Sequence, residues 1–374
     1  MRRWAGPPPL LIAVTVLGIL VAPAVSHADA GPPAIEQAVL AGAEPGPTST
    51  PTPSTTPATT PATTPGRSGG ASTRDPAPDT ESDVEPEEDS QPGSDATTGA
   101  APGSRPTVPP ITPQKIGVAS FNQYVQLSGA AGLDDARALT SRDGVDVVGW
   151  QEGFVAGPIY QALAEDGWAT RRYVRARGSR ELAVSWRKDR FAFVGSALHK
   201  LADGVAEGDG RYPFGTRYAL RVTLRDRATG EQLSVINTHL PQRIEDLEVP
   251  GTWRTTKNAL RAARQLDRLA EIWERAPGRW VVGTGDYNIA ALADQRARNS
   301  GGVVAAYAGV ARSSYSLLGF EGLQPTHPYS GRFIDYVHVA QPALKKGRIE
   351  VLGQRTPGGL SSDHRPLVVR LKLS

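Results

Sequence analysis

Cysteine is absent from the 374-residue chain. That excludes disulfide bridges, thiolate zinc sites, a cysteine nucleophile and a thiol-linked lipid anchor. Long apolar runs are absent as well. The longest candidate, Leu10 to Ala22, spans 13 residues and stops at Pro23, short of the ~20 that cross a bilayer. No unit of roughly 20 to 50 residues recurs, which excludes solenoid and propeller arrays. A charge of one sign is also missing overall, with 41 Lys+Arg against 38 Asp+Glu. That balance hides an uneven distribution. Residues 31–114 carry 11 acidic and 3 basic side chains, whereas residues 115–374 carry 26 acidic and 36 basic ones.

Three segments follow from composition. Arg2 and Arg3 precede the short apolar run, and small residues at Ala24, Ser26, Ala28 and Ala30 follow it. This is the layout of a cleaved secretory signal over residues 1–30, and it implies a secreted or cell-envelope protein; a retained N-terminal anchor is the alternative. Residues 31–113 include TPTPSTTPATTPATTPG and an acidic stretch from Thr80 to Ser90. With so little apolar content the segment cannot offset the entropy of ordering, so a disordered linker is expected, either O-glycosylated or a bare spacer. From residue 114 to 374, short Val, Ile, Leu and Trp runs alternate with Gly and Asp turns. That length suffices for one domain with a substantial core.

Within this domain, strand character appears at Ile116 to Phe121, Val145 to Trp150, Leu182 to Trp186, Phe191 to Val194, Tyr218 to Leu224, Leu233 to Asn237, Trp280 to Val282, Phe333 to Val339 and Leu367 to Leu371. Helical patterns occupy Leu133 to Ser141, Pro158 to Asp166 and Trp253 to Arg275. Leu182 to Trp186 and Phe191 to Val194 look like a hairpin across Arg187 to Arg190, so the sheets cannot be purely parallel. The expected fold is α/β: a four-layer sandwich of two mixed β-sheets packed face to face, with helices outside.

Chemically capable residues collect where the strands end. Asn122 closes the first run, Gln151-Glu152 the second, Asn237-Thr238-His239 a later one and Gly285-Asp286-Tyr287-Asn288 another. Strand C-termini are where α/β sheets commonly place ligands. Asp335 lies inside Phe333 to Val339, and Asp363-His364 stands just ahead of the last strand. Taken one at a time, an Asn capping a turn or a hydrogen-bonded core His explains each of them. A carboxylate directly after a buried strand, as at Glu152, needs a partner or solvent.

The ordered series N, QE, NTHL, GDYN, IDYV, SDHRP resembles the endonuclease/exonuclease/phosphatase superfamily over essentially all of Lys115 to Ser374. That superfamily comprises metal-dependent phosphoesterases, among them pancreatic deoxyribonuclease, apurinic-site endonucleases, sphingomyelinases and inositol-phosphate 5-phosphatases. The resemblance implies a Mg2+ site, with Mn2+ or Ca2+ as substitutes, held by Glu152, Asp363 and Asn122. It also assigns Asp286 and Asn288 to the attacking water and the phosphate oxygens. His364, oriented by Asp335, would act as base or bind phosphoryl charge, and His239 would bind phosphate or protonate the leaving group. Arg217 matches a position that contacts phosphate. Glu181 is a possible orienter of His239 outside the core set.

Substrate class is read from charge. Arg171, Arg172, Arg175, Arg177 and Arg180 crowd one segment, and Arg254, Lys257, Arg261, Arg264 and Arg268 step along one helix face, for which a solvated surface is the plainer explanation. The basic excess favours a polyanion. The leading expectation is a secreted, monomeric nuclease. A sphingomyelinase-like phosphodiesterase or phosphoinositide phosphatase on anionic lipid is the alternative, with Tyr212-Pro213-Phe214 as its one small aromatic segment. A catalytically inactive binding module is the third reading.

Overall fold

The computed structural model describes residues 112–204, 215–246, 248–249, 252–297 and 301–374. The expected signal segment, nearly all of the linker and Tyr212-Pro213-Phe214 lie outside the described residues. In chain order the strands are β1 (Gln114–Asn122), β2 (Val147–Gln151), β3 (Trp168–Arg172), β4 (Ala183–Arg187), β5 (Phe191–Ala202), β6 (Arg217–Asp226), β7 (Gln232–His239), β8 (Trp280–Asp286), β9 (Ala311–Ser313), β10 (Asp335–Ala340), β11 (Ile349–Arg355) and β12 (Leu367–Leu373). The longer helices are α1 (Gly129–Thr140), α2 (Gly157–Glu165) and α3 (Lys257–Glu274). Among the described residues no helix is long and apolar enough to cross a membrane.

The strands form two six-stranded sheets, β11-β12-β1-β2-β4-β3 and β5-β6-β7-β8-β10-β9. Each has a single parallel pair, β1 with β2 and β7 with β8, and every other pairing is antiparallel. β1 and β2 face β7, β8 and β10. The hairpin expected between β4 and β5 does not form. β4 pairs with β2 and β3 in the first sheet, while β5 pairs with β6 in the second, so the turn at Arg187–Arg190 carries the chain between layers.

Sequence pattern explains these elements. β2 and β8 are buried along their whole length, as expected for Val-rich strands covered on both faces. α1 and α2 pack Ala136, Leu139, Ile159, Tyr160 and Leu163 onto Phe121, Val148 and Trp150 of the first sheet. Burying a side chain of this size contributes roughly 1.5–3 kcal/mol relative to exposure. α3 begins where the Thr256 side chain accepts from Ala259 N, a Thr N-cap that satisfies one otherwise unpaired donor. The basic stripe expected on α3 is not one solvated face. Arg261 is only 4% exposed and donates to Asp203 O, while Arg268 and Arg275 pair with Glu271 on the surface.

Between the sheets lies a polar clamp. Asn237 Nδ2 donates to Trp150 O at 2.7 Å and Ala183 O at 3.0 Å, and its Oδ1 accepts from Gln151 Nε2 at 2.7 Å and Thr284 Oγ1 at 3.0 Å. Ser120 Oγ accepts from Gly285 N at 2.9 Å. The sheets approach so closely here that a Cβ at position 149 would stand 1.9 Å from Thr284 Oγ1, which is why Gly149 interrupts β2. Buried amides are tolerated when they are hydrogen-bonded, and this set fixes the register of one sheet on the other.

Candidate active site

Topology gathers the strand ends. The parallel pairs β1–β2 and β7–β8 finish at one edge of the sandwich, and their antiparallel neighbours β4, β10 and β12 start there. In the second sheet His239 pairs in register with Asp286, and Asp286 with Asp335, giving a row across three strands. In the first sheet Asn122 is in register with Gln151. Strict alternation would send the next residue, Glu152, to the opposite face. Glu152 instead takes a left-handed backbone (φ 57°), and its carboxylate meets Asn122 Nδ2 at 3.1 Å and Val125 N at 2.9 Å. Asn288 is also left-handed (φ 53°), and its N–H donates to Asp286 Oδ1 at 2.8 Å. Such conformations cost about 1 kcal/mol or more without glycine and persist where surroundings enforce them.

The expected residues converge. Asn122 Nδ2 also donates to Asp286 Oδ2 at 3.1 Å, while Asn122 Oδ1 accepts from Tyr124 N at 3.0 Å. His239 Nε2 and His364 Nε2 lie 3.6 and 3.8 Å from that same Asp286 Oδ2. Asn288 Nδ2 donates to Leu240 O at 3.0 Å and sits 3.4 Å from His239 Nε2. His364 Nδ1 is 2.8 Å from Asp335 Oδ2. Ser362 Oγ donates to Asn122 O at 2.8 Å, tying the Asp363–His364 turn to β1. Arg217 is ion-paired with Glu181 through one guanidinium nitrogen, and its Nε is buried without a partner among the described residues.

Two residues outside the expected core belong to this constellation. Glu181 Oε2 is 2.7 Å from His239 Nδ1, so the second histidine has a carboxylate of its own. Its signal was topological: Glu181 stands just ahead of β4, as Asp363 stands just ahead of β12, and both strands are antiparallel neighbours of a parallel pair. His327, in the Pro325-Thr326-His327-Pro328 turn before β10, packs its ring 4.9 Å from that of His364.

Electrostatics separate the groups. Burial alone would raise the Glu181 carboxyl, but the Arg217 guanidinium and His239 hold it at about 2. Burial would lower both histidines; Glu181 turns His239 upward, and Asp335, aided by Asp286 and Asp363, pushes His364 up to about 10. Burial raises Asp363 to about 6. Asp335 Oδ1 and Asp363 Oδ1 are buried without hydrogen-bond partners among the described residues. Asp286, Asp335 and His364 offer donor atoms within 4.8 Å of one another, as do His327, Asp363 and His364. Crowded carboxylates with orphaned oxygens are a donor set that fits a hard divalent cation.

No protein-family model and no curated protein matches the chain. Solved structures do. An endonuclease/exonuclease/phosphatase from Bacteroides vulgatus superposes with a TM-score of 0.52 at 17% identity, covering 70% of this chain and 100% of its own. An endonuclease/exonuclease/phosphatase family protein from Bacteroides thetaiotaomicron gives 0.51 at 15% identity over 71% and 97%. A humanized D. rerio TDP2 gives 0.50 at 17% identity over 69% and 98%. All three are covered over nearly their whole lengths. The chain therefore has the endonuclease/exonuclease/phosphatase fold.

Proposed function

We propose that the protein is a divalent-metal-dependent phosphodiester hydrolase, exported by its N-terminal segment, working as a monomer and cutting nucleic acid. One observation carries this reading: two histidines, each backed by its own carboxylate, approach the single oxygen Asp286 Oδ2 at 3.6 and 3.8 Å. Hydrolysis needs a water proton removed, a leaving oxygen protonated and phosphoryl charge balanced. Asp286 orients the water and takes its proton as the new P–O bond forms. His239, whose Nδ1 is held by Glu181, gives its Nε2 proton to the leaving oxygen as the old P–O bond breaks. His364, kept cationic by Asp335, and Asn288 donate to the phosphoryl oxygens.

Glu152 and Asp363 would hold a divalent ion such as Mg2+, which would supply Lewis-acid neutralisation of the phosphate; Asn122, expected as a third ligand, turns its Nδ2 to Glu152 and gives its Oδ1 to Tyr124 N, so it orients the Glu152 carboxylate. The surplus of basic over acidic side chains in residues 115–374 supports a polyanionic substrate, with nucleic acid as the leading reading and anionic lipid as the alternative. The test is the full chain on plasmid DNA with MgCl2. Nicking that EDTA and His239→Ala both abolish supports the reading. Intact plasmid alongside cleaved sphingomyelin would transfer the activity to lipid, and inertness toward every phosphoester by folded, Mg2+-loaded protein would refute an enzyme.

A further inference from the structure

The turn ahead of β10 runs beside the cleft, no step above uses the side chains of His327 and Tyr329, and the turn is fixed from several sides. His327 N donates to Arg332 O at 3.0 Å, and Arg332 N donates back to His327 O at 3.3 Å. Thr326 Oγ1 accepts from Ile334 N and Asp335 N at 3.0 and 3.1 Å. Arg332 donates to Asn288 O at 2.9 Å, and Gly331 closes the turn with a left-handed φ of 66° that glycine adopts freely. The turn that anchors Asp335 and Asn288 is thus the turn that presents His327 and Tyr329.

These two side chains continue a row of rings from the site to solvent. The His327 ring lies 4.9 Å from that of His364, and the Tyr329 ring lies 6.1 Å beyond it, with Tyr329 85% exposed. His327 Nδ1 accepts from Ser330 N at 3.2 Å and sits 2.7 Å from Ser330 Oγ. A neutral imidazole accepting at Nδ1 carries its proton on Nε2, which makes that nitrogen a donor. An aromatic ring so exposed gains little from the fold itself, and a flat face next to a phosphate site is what an unpaired base stacks on.

We propose that this turn is the subsite for the nucleoside flanking the scissile phosphate, with Tyr329 stacking on the base and His327 Nε2 donating to a backbone oxygen. The proposal rests on the nucleic-acid reading of the same site. A membrane contact would group several apolar side chains, whereas Tyr329 stands between Pro328 and Ser330-Gly331. Stacking tolerates any base, so the subsite distinguishes base-bearing from base-free strands rather than one sequence from another.

The test is binding of fluorescent single-stranded oligonucleotides to the full chain in EDTA, where no turnover occurs, with an abasic strand of equal length as reference. The preference for the base-bearing strand should fall about tenfold in Tyr329→Leu and survive in Tyr329→Phe. His327→Ala, in contrast, should weaken both strands. An unchanged preference in Tyr329→Leu overturns the proposal even if the protein cuts plasmid. Loss of binding to phosphatidylserine vesicles in Tyr329→Leu, with oligonucleotide binding intact, would reassign the turn to lipid. Wild-type protein that neither binds nor cuts any nucleic acid, but hydrolyses another phosphoester, sinks the nucleic-acid reading and this proposal together.

Discussion

The two histidine–carboxylate pairs have the same geometry and opposite electrostatic settings. His239 meets Glu181 at 2.7 Å and His364 meets Asp335 at 2.8 Å, and each pair bridges the two sheets. Glu181, however, is also paired with Arg217, while one oxygen of Asp335 has no partner among the described residues. The Arg217 charge works against protonation of His239, whereas Asp286 and Asp363 add to the pull of Asp335 on His364. The Arg217 charge beside one ring and the Asp363 carboxylate beside the other therefore separate the two: His364 is held more firmly in its protonated form and suits a fixed phosphoryl donor, while His239 suits an acid.

Removing the shared element should have the largest effect. Asp286→Asn deletes the charge that both rings face and should lower kcat about 10³-fold with little change in KM, read in steady-state kinetics on a defined phosphodiester. Next come variants that exchange the two settings. Both rings must be protonated in this mechanism, so they govern the alkaline limb of the pH–rate profile. Arg217→Met removes a cation that depresses His239 and should move that limb to higher pH; Asp335→Asn removes the main support of His364 and should move it to lower pH. Shifts in the same direction would erase the proposed difference between the rings.

The contributions of the two pairs to stability should be lost on opposite sides of neutrality. Glu181 is held at about 2, below its ordinary 4.5, so its contribution is present above pH 4.5 and is lost as pH falls through 2. The melting-temperature gap between wild type and Glu181→Gln should close on acidification. His364 is raised to about 10 from an ordinary 6.5, so its contribution is full below pH 6.5 and is lost as pH rises through 10. The gap to Asp335→Asn should therefore close on alkalinisation, which calorimetry across pH measures. The smallest effect expected is a rise in melting temperature of a few degrees on adding saturating MgCl2, absent in Glu152→Gln.

Much of this was legible in the sequence because chemistry and topology leave marks at the same places. The ends of β1 and β2 are visible as apolar runs stopping just before Asn122 and Gln151-Glu152, while the runs for β7 and β8 stop at Asn237 and Val282, two and four residues short of the strand ends at His239 and Asp286. α1, α2 and α3 began and ended within a few residues of their periodic patterns, α3 starting after its Thr256 cap. What stayed hidden needed long-range pairing. β3 and β11 are polar or broken by Gly353, and β5 runs on through His199-Lys200 to Ala202 because β6 pairs with it, not because its residues demand a strand. The β4–β5 connection looked like a hairpin since local spacing carries no information about which sheet a strand joins. Glu181 and Arg217 lie 36 residues apart, and only the fold shows them to be partners. Asn237, two residues before His239, clamps the sheets through its amide, a role that only the facing strands reveal.

The central claim is that His239 and His364 act on one phosphorus atom. Turnover of a defined phosphodiester by His239→Ala, His364→Ala and the double variant tests it directly. Groups that serve a single transition state are strongly non-additive, so the double variant should be little slower than the slower single one. Losses that multiply across the two substitutions would mean independent action and would contradict the account.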